Sequence, residues 1–245
     1  MRVGIFDSGI GGINVLDELI KKYPHNHYIF YGDTLNLPYG SKSIEELQKL
    51  SSSVVEFLLS KKVDLIIIAC GTVSSNCYEY LKAKYDIPIF DIVSPTIKYI
   101  NNSNYEKVGV IATTRTINSK IFEIDKVSLT KATPSFVPII EDSLIEESRD
   151  EIRSELSIFK DKVDALVLGC THYPSLSKTI KEYLNVPLID MGKCLTEVLE
   201  LSLEGETVID LYFSEISDKL ISNVSNILEC EYNLQGKVLD NKLLS

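Results

Sequence analysis

Cysteine is present in an odd number, five, and none of the five belongs to a Cys-x-x-Cys pair. That pattern argues against a disulfide framework, a zinc knuckle and a thioredoxin-type redox motif, and fits reduced thiols better. Histidine is nearly absent, with three residues in the chain, so a His-rich metal centre is excluded and each imidazole is notable. No apolar run approaches the roughly 18 residues that a bilayer-spanning helix needs. Lysine and arginine never cluster beyond a pair, and the net charge is −10, which speaks against a nucleic-acid binder. No Gly-Lys-Ser or Gly-Lys-Thr occurs, so a phosphate-binding loop of that type is missing. The opening residues MRVGIFDSG run straight into an apolar stretch and leave no room for a signal peptide. The expected location is therefore the cytoplasm.

What is present is an ordinary globular composition, 44% hydrophobic and 24% charged over 245 residues. That suits one large α/β domain or two small ones, with ample material for a core. Short apolar runs, at 3–6, 27–31, 63–69, 87–92, 107–112, 135–139, 165–169 and 186–189, alternate with stretches of helical period at 13–23, 44–61, 75–85 and 175–184. The alternation predicts parallel sheets covered by helices.

An internal repeat organises the chain. VDLIIIACGTVSSNCYEYLKAKYDIPIFDI at 63–92 parallels VDALVLGCTHYPSLSKTIKEYLNVPLIDM at 163–191, and VGIFDSG at 3–9 parallels VGVIATT at 108–114. Two similar α/β lobes related by a pseudo-two-fold axis follow, with the active site in the cleft between them at the carboxyl ends of the strands. The first lobe is expected to take residues 1–93 plus 206–245, and the second 94–205. VIDLYFSEISDKLISNVSNIL near the end predicts a strand and a long helix that return to the first lobe.

Cys70 and Cys170 occupy equivalent places in the repeat. A lone buried cysteine is commonly a small hydrophobe, but two at equivalent strand ends would face each other across the cleft. Each precedes a helix, whose N-terminal amides are expected to favour the thiolate. One thiol could then remove a proton from a carbon while the other delivers one to its opposite face. Asp7, ahead of Gly9, Gly11 and Gly12, could orient or deprotonate a thiol, or cap the next helix. His172 lies two residues beyond Cys170. Glu141, read as the end of a strand SFVPIIE, is the candidate acid to pair with it. His25 and His27 read as a polar surface turn. Ser8, Thr72, Thr171 and the Tyr39-Gly40-Ser41 turn supply hydroxyls and free amides suited to carboxylates.

Other readings compete. A dinucleotide site would use the DSGIGG glycines and Asp33, but the third glycine is out of register. A metal site from Cys70, Cys170, His172 and Glu141 lacks the usual tight ligand spacing. A two-lobe binding protein of the export pathway would need a leader.

FDSGIGG, YGDTLNLPYG, the ACGT segment and GCTHYP together resemble the glutamate racemases of the aspartate/glutamate racemase superfamily, from about residue 2 to 228. The resemblance implies racemisation of glutamate without pyridoxal phosphate, metal or any other cofactor. Cys70 would act on the D-enantiomer and Cys170 on the L-enantiomer. Asp7 would support Cys70, and Glu141 with His172 would support Cys170. Asp7, Ser8, Tyr39, Gly40, Gly71, Thr72, Thr171 and His172 would hold the substrate, with Thr113 and Thr116 as further contributors. It also implies a homodimer supplying D-glutamate for peptidoglycan. One position departs: the family has Cys-Asn-Thr where this chain has Cys70-Gly71-Thr72. Losing a hydrogen bond to a charged group costs about 1.5–3 kcal/mol, so weaker glutamate binding is expected, or an altered substrate such as aspartate. Rescue could come from a water or from Ser74, Ser75 or Asn76.

Overall fold

A computed structural model describes residues 1–239. In chain order the elements are β1 (Arg2–Asp7), α1 (Gly12–Lys22), β2 (His27–Gly32), α2 (Ile44–Ser60), β3 (Leu65–Ile68), α3 (Gly71–Lys84), β4 (Ile89–Asp91) and α4 (Val93–Asn102). They continue as β5 (Val108–Ala112), α5 (Thr114–Asn118), β6 (Val127–Ala132), α6 (Phe136–Glu141), α7 (Arg149–Leu156), β7 (Ala165–Gly169), α8 (Ser177–Leu184), β8 (Leu188–Asp190), α9 (Met191–Thr196), β9 (Val208–Phe213), α10 (Asp218–Ile227) and β10 (Asn233–Gly236).

Two wholly parallel sheets result, ordered β10-β9-β2-β1-β3-β4 and β6-β5-β7-β8. The run β2-β1-β3-β4 matches β6-β5-β7-β8 element for element, which is the repeat of the sequence in three dimensions. β9 and β10 extend the first sheet beyond β2, so the tail returns as expected. α10 is a helix of 10 residues, and the strand β10 that follows it is not signalled by the sequence pattern. Residues 240–245, included in the first lobe on the sequence reading, lie outside the described residues.

The central strands are buried on both faces, which is why they read as unbroken apolar runs rather than alternating ones. One face of both sheets shares a single core: Val3 and Ile5 from β1, Leu16 and Leu19 from α1, Leu195 from α9, and Val110 and Val167 from β5 and β7 all belong to it. Separate clusters cover the outer faces, one under α2 and α3 and one under α6, α7 and α8. The lobes are thus joined by a common apolar layer, and only the strand ends stand apart to form a cleft.

Two expectations change. The run 135–139 is not a strand but the first turns of α6. Pro138 sits where a helix has no need of its N–H, and Phe136 and Ile139 bury one face, a spacing too short for periodicity to separate from a strand. The strand in this region is β6, an edge strand of mixed burial. His27 is not in a turn: it opens β2, held between Arg2 Nη1 at 3.1 Å and Asp210 at 2.7 Å. His25 is exposed, as expected.

Candidate active site

The parallel strands deliver their carboxyl ends to one place. Phe6 pairs with Ile68 and Ala112 with Gly169, so Asp7 and Ser8 emerge beside Cys70, and Thr113 emerges beside Cys170. Between them lies a cavity of about 440 Å³, within the range of small-molecule sites. Both thiols line it, together with Ser8, Tyr39, Gly40, Gly71, Thr72, Thr171, His172 and Glu141. Thr113 joins them, whereas Thr116 stands behind it, accepting a hydrogen bond from Thr113 Oγ1 at 3.0 Å. Thr72 and Thr113 meet at 3.0 Å, closing the cleft with one hydroxyl from each sheet.

The two thiols have different neighbours. Cys70 Sγ donates to Ser8 Oγ at 3.5 Å. Beneath the wall, Asp7 is 1% exposed; its Oδ2 accepts the Gly12 and Gly9 amides at 2.9 and 3.3 Å, while Oδ1 has no partner among the described residues. Its carboxylate therefore does cap the start of α1. Burial pushes the Asp7 carboxyl up, against the pull of His172 and those amides. Burial also pushes the Cys70 thiol well up, and the Asp7 charge adds to it. The amides of α3 do not overcome this, so the expected thiolate at Cys70 is corrected to a thiol: removing sulfur from water outweighs a helix N-terminus. Carboxylate and thiolate would be like charges in so dry a spot, which disfavours their ionising together.

Cys170 instead lies 3.7 Å from His172 Nδ1, and His172 Nε2 lies 3.0 Å from Glu141 Oε1. Burial works against a charged imidazole, but the contacts with Cys170 and Glu141 prevail and raise it to about 10 from the ordinary 6.5. In the repeat, His172 takes the place of Thr72 and Asp7 the place of Ala112. The pseudo-symmetric scaffold therefore carries an asymmetric pair of acid–base partners.

This pairing has a consequence for stability. A group raised in the folded state stabilises it fully below its unfolded value and loses that effect as pH climbs through the folded value. His172 should therefore contribute fully below about pH 6.5 and progressively less up to about pH 10. Denaturation midpoints measured across that window should fall more steeply for the native chain than for His172→Asn. Parallel curves would show that the imidazole is not held charged.

Several residues at the site were not signalled by sequence. Asn14 of α1 donates from Nδ2 to the Thr171 carbonyl at 2.8 Å, tying the loop that carries Cys170 to the opposite sheet's helix. Gly11 makes that approach possible: a Cβ there would stand 2.4 Å from Thr171 Oγ1 and 2.5 Å from His172 Nδ1. Leu37, Pro38, Pro134, Val137 and Pro138 form the apolar part of the wall. The prolines at 134 and 138, both just ahead of Glu141, are the one sequence signal that could have marked a shaped loop.

Asp33 is occupied by the Tyr39 hydroxyl at 2.6 Å and the Asn36 amide at 2.9 Å, so it is not free for a ribose. Cys70, Cys170, His172 and Glu141 do not form a ligand cage: no group of three or more such side chains gathers among the described residues. Ser74, Ser75 and Asn76 do not line the cavity, because their side chains bond instead to Ile68 O, Thr72 O and Thr116 Oγ1. They are corrected as stand-ins for the missing asparagine. No helix of the described residues is long and apolar enough to cross a membrane.

A cleft with a thiol on either side, each with its own acid–base partner, defines a class that moves protons on carbon. The chain belongs to the Asp/Glu/Hydantoin racemase family, whose model matches residues 8–199. Within it, the similarity runs to glutamate racemases. That of Aquifex pyrophilus is 36% identical across 95% of this chain and 96% of its own. That of Thermoanaerobacter sp. (strain X514) is 40% identical across 98% and 96%. The glutamate racemase of Francisella tularensis subsp. tularensis SCHU S4, solved in complex with D-glutamate, has a TM-score of 0.85 and 29% identity, covering 98% of both chains.

Proposed function

We propose that this chain is a glutamate racemase that interconverts L- and D-glutamate with no cofactor, using Cys70 and Cys170 as the two acid–base groups. The observation that carries this reading is the placement of the thiols at equivalent ends of β3 and β7, on one cavity, with unlike partners. Cys170 lies against His172, whose other ring nitrogen meets Glu141. Cys170 takes the α-proton of L-glutamate, forming an S–H bond as the C–H bond breaks. Cys70, kept protonated by burial and by Asp7, gives its proton to the opposite face and becomes the thiolate. D-glutamate runs the same steps in reverse.

The α-proton is weakly acidic, so negative charge developing on the substrate must be met by donors already in place. Amides at the start of α3 and in the Tyr39-Gly40 turn, with the Ser8, Thr72 and Thr171 hydroxyls, supply them. His172 is the one cationic side chain on the wall among the described residues, so the substrate's carboxylates rest on amides and hydroxyls rather than on arginine. The physiological setting proposed is a cytoplasmic homodimer supplying D-glutamate for peptidoglycan. The bacterial glutamate racemases that the chain resembles support it.

The test follows circular dichroism of L-glutamate in deuterated buffer without added cofactor, then the mass of the α-position. Loss of optical signal with one deuterium in the product is expected. Change with aspartate alone would move the substrate and keep the chemistry, and no change with any amino acid would refute the reading.

A further inference from the structure

The two thiols are held by unequal supports. Cys70 leads straight into α3, and its carbonyl accepts the Ser74 amide at 2.8 Å. Cys170 has no such helix behind it. Thr171 and His172 lead only into a short 3₁₀ turn at Tyr173–Leu176, and α8 starts at Ser177. Behind His172, a second cavity of about 260 Å³ lies between α1, the segment after α6, and α10. Packing therefore does not brace the Cys170 loop on that side.

What spans the gap is one side chain of α1. Asn14 Nδ2 donates to the Thr171 carbonyl at 2.8 Å and to the Gly11 carbonyl at 3.2 Å. Among the described residues, no other side chain from the first sheet's connections bonds to Cys170, Thr171 or His172. The same turn of α1 serves the other thiol. The Gly12 amide donates to Asp7 Oδ2 at 2.9 Å, and the charge of Asp7 acts on Cys70. One helical turn thus grips a strand end from each sheet. The grip at Thr171 reaches the thiol because a peptide is planar: its carbonyl fixes the unit that joins Thr171 to His172, and Cys170 lies one residue back.

We propose that Asn14 is a positioning residue for racemisation, holding the Cys170 loop at a fixed spacing from Cys70 through the first turn of α1. This rests on the function proposed above. Asn14 does not line the substrate cavity, whereas Cys170 and Thr171 do. It acts through Thr171, and sets where the Cys170 thiol stands when a proton moves. A displacement of about 1 Å at a reacting group can cost roughly 100-fold in rate.

Asn14→Leu keeps the size and loses the bond, and Asn14→Asp keeps the shape and sets a carboxylate against the carbonyl. Each should lower kcat/KM by about 10- to 100-fold. Isotope effects then tell which thiol has moved. Cys170 breaks the labelled bond of α-deuterated L-glutamate, and Cys70 that of α-deuterated D-glutamate. When transfer at Cys170 slows, the isotope effect on kcat/KM should rise above the native value from the L side. It should fall below it from the D side, where the labelled step at Cys70 reaches equilibrium before Cys170 delivers its proton. Tyr23→Phe is the control, removing the hydroxyl bond from Tyr23 to the Leu199 carbonyl just beyond the other end of α1. It should lower Tm and leave kcat/KM and both isotope effects native.

Isotope effects that stay native in both Asn14 variants, or that move together from the two sides, overturn the assignment. The same opposed shift in Tyr23→Phe does so too, because it would then belong to the helix as a whole. A native enzyme that racemises neither enantiomer refutes the function itself, and the two failures are thereby told apart.

Discussion

Cys70→Ser and Cys170→Ser are each expected to abolish racemisation, lowering kcat by at least about 10²–10⁴-fold, the usual contribution of a positioned acid or base. A serine hydroxyl has the right shape, but it is a far weaker acid than a thiol and yields no useful anion near neutral pH. In the proposed reaction neither thiol can cover for the other, because each emerges from its own sheet on its own side of the cavity. No other cysteine is at hand either. Cys77 and Cys194 are buried in other parts of the core and Cys230 is exposed, and none of them lines the cavity. The double variant should be hardly worse than either single one, since the two groups act as a unit. The measurement is the initial rate by circular dichroism in both directions. A variant that keeps more than about a tenth of the native rate would rule out two-thiol chemistry, being inside the smallest loss expected for such a group.

Gly71→Asn should also damage the enzyme, contrary to what the missing asparagine implies on sequence grounds alone. A Cβ at position 71 would stand 2.8 Å from the Gly169 carbonyl oxygen and 3.3 Å from Met191 Cε. The methionine end can swing away, but the carbonyl cannot, because Gly169 ends β7 in register with Ala112. Overpacking of this kind costs about 1–3 kcal/mol, or roughly 2–4 °C in Tm for each kcal/mol in a chain of this size. Cys170 follows Gly169 directly, so a shift that relieves the contact also moves a catalytic thiol. A fall of about 10- to 100-fold in kcat/KM is expected from such misplacement. Gly71→Ala separates the causes, since it brings the same Cβ without an amide. Equal losses in both variants would confirm the steric reading. An asparagine variant that outperforms the native enzyme would restore the idea that this chain lacks a substrate contact.

The contrast at Gly71 shows which kind of information a sequence withholds. A missing amide group is visible in one dimension, but the carbonyl that fills its space comes from the other sheet, nearly a hundred residues away. Ser74, Ser75 and Asn76 seemed available for the same reason. Only the fold shows their side chains turned to the carbonyls of Ile68 and Thr72. Glu141 illustrates a milder case. Its role beside His172 was proposed from a strand that is in fact a helix, and the partner was still right, because either element ends at the cleft. The reverse holds at Asn14 and Gly11, where DSGIGG invited a dinucleotide-binding reading. In the fold the same glycines let a helix lie against the loop of Cys170, and their amides serve Asp7.

The architecture and the two thiols were determined by the sequence alone, because both rest on local pattern. Apolar runs of strand length, helical periods between them, and a repeat that places Cys70 and Cys170 alike are properties of neighbouring residues. The tertiary structure decided the chemical inequality of those thiols. Burial raises Cys70 and Asp7 together, whereas Cys170 faces a histidine that is joined to a carboxylate and is itself raised. It also decided how closely the sheets approach at Gly71 and Gly11, and that a second cavity opens behind His172. Desolvation and close approach depend on which distant groups surround an atom, and that is settled only when the two sheets pack against their shared core.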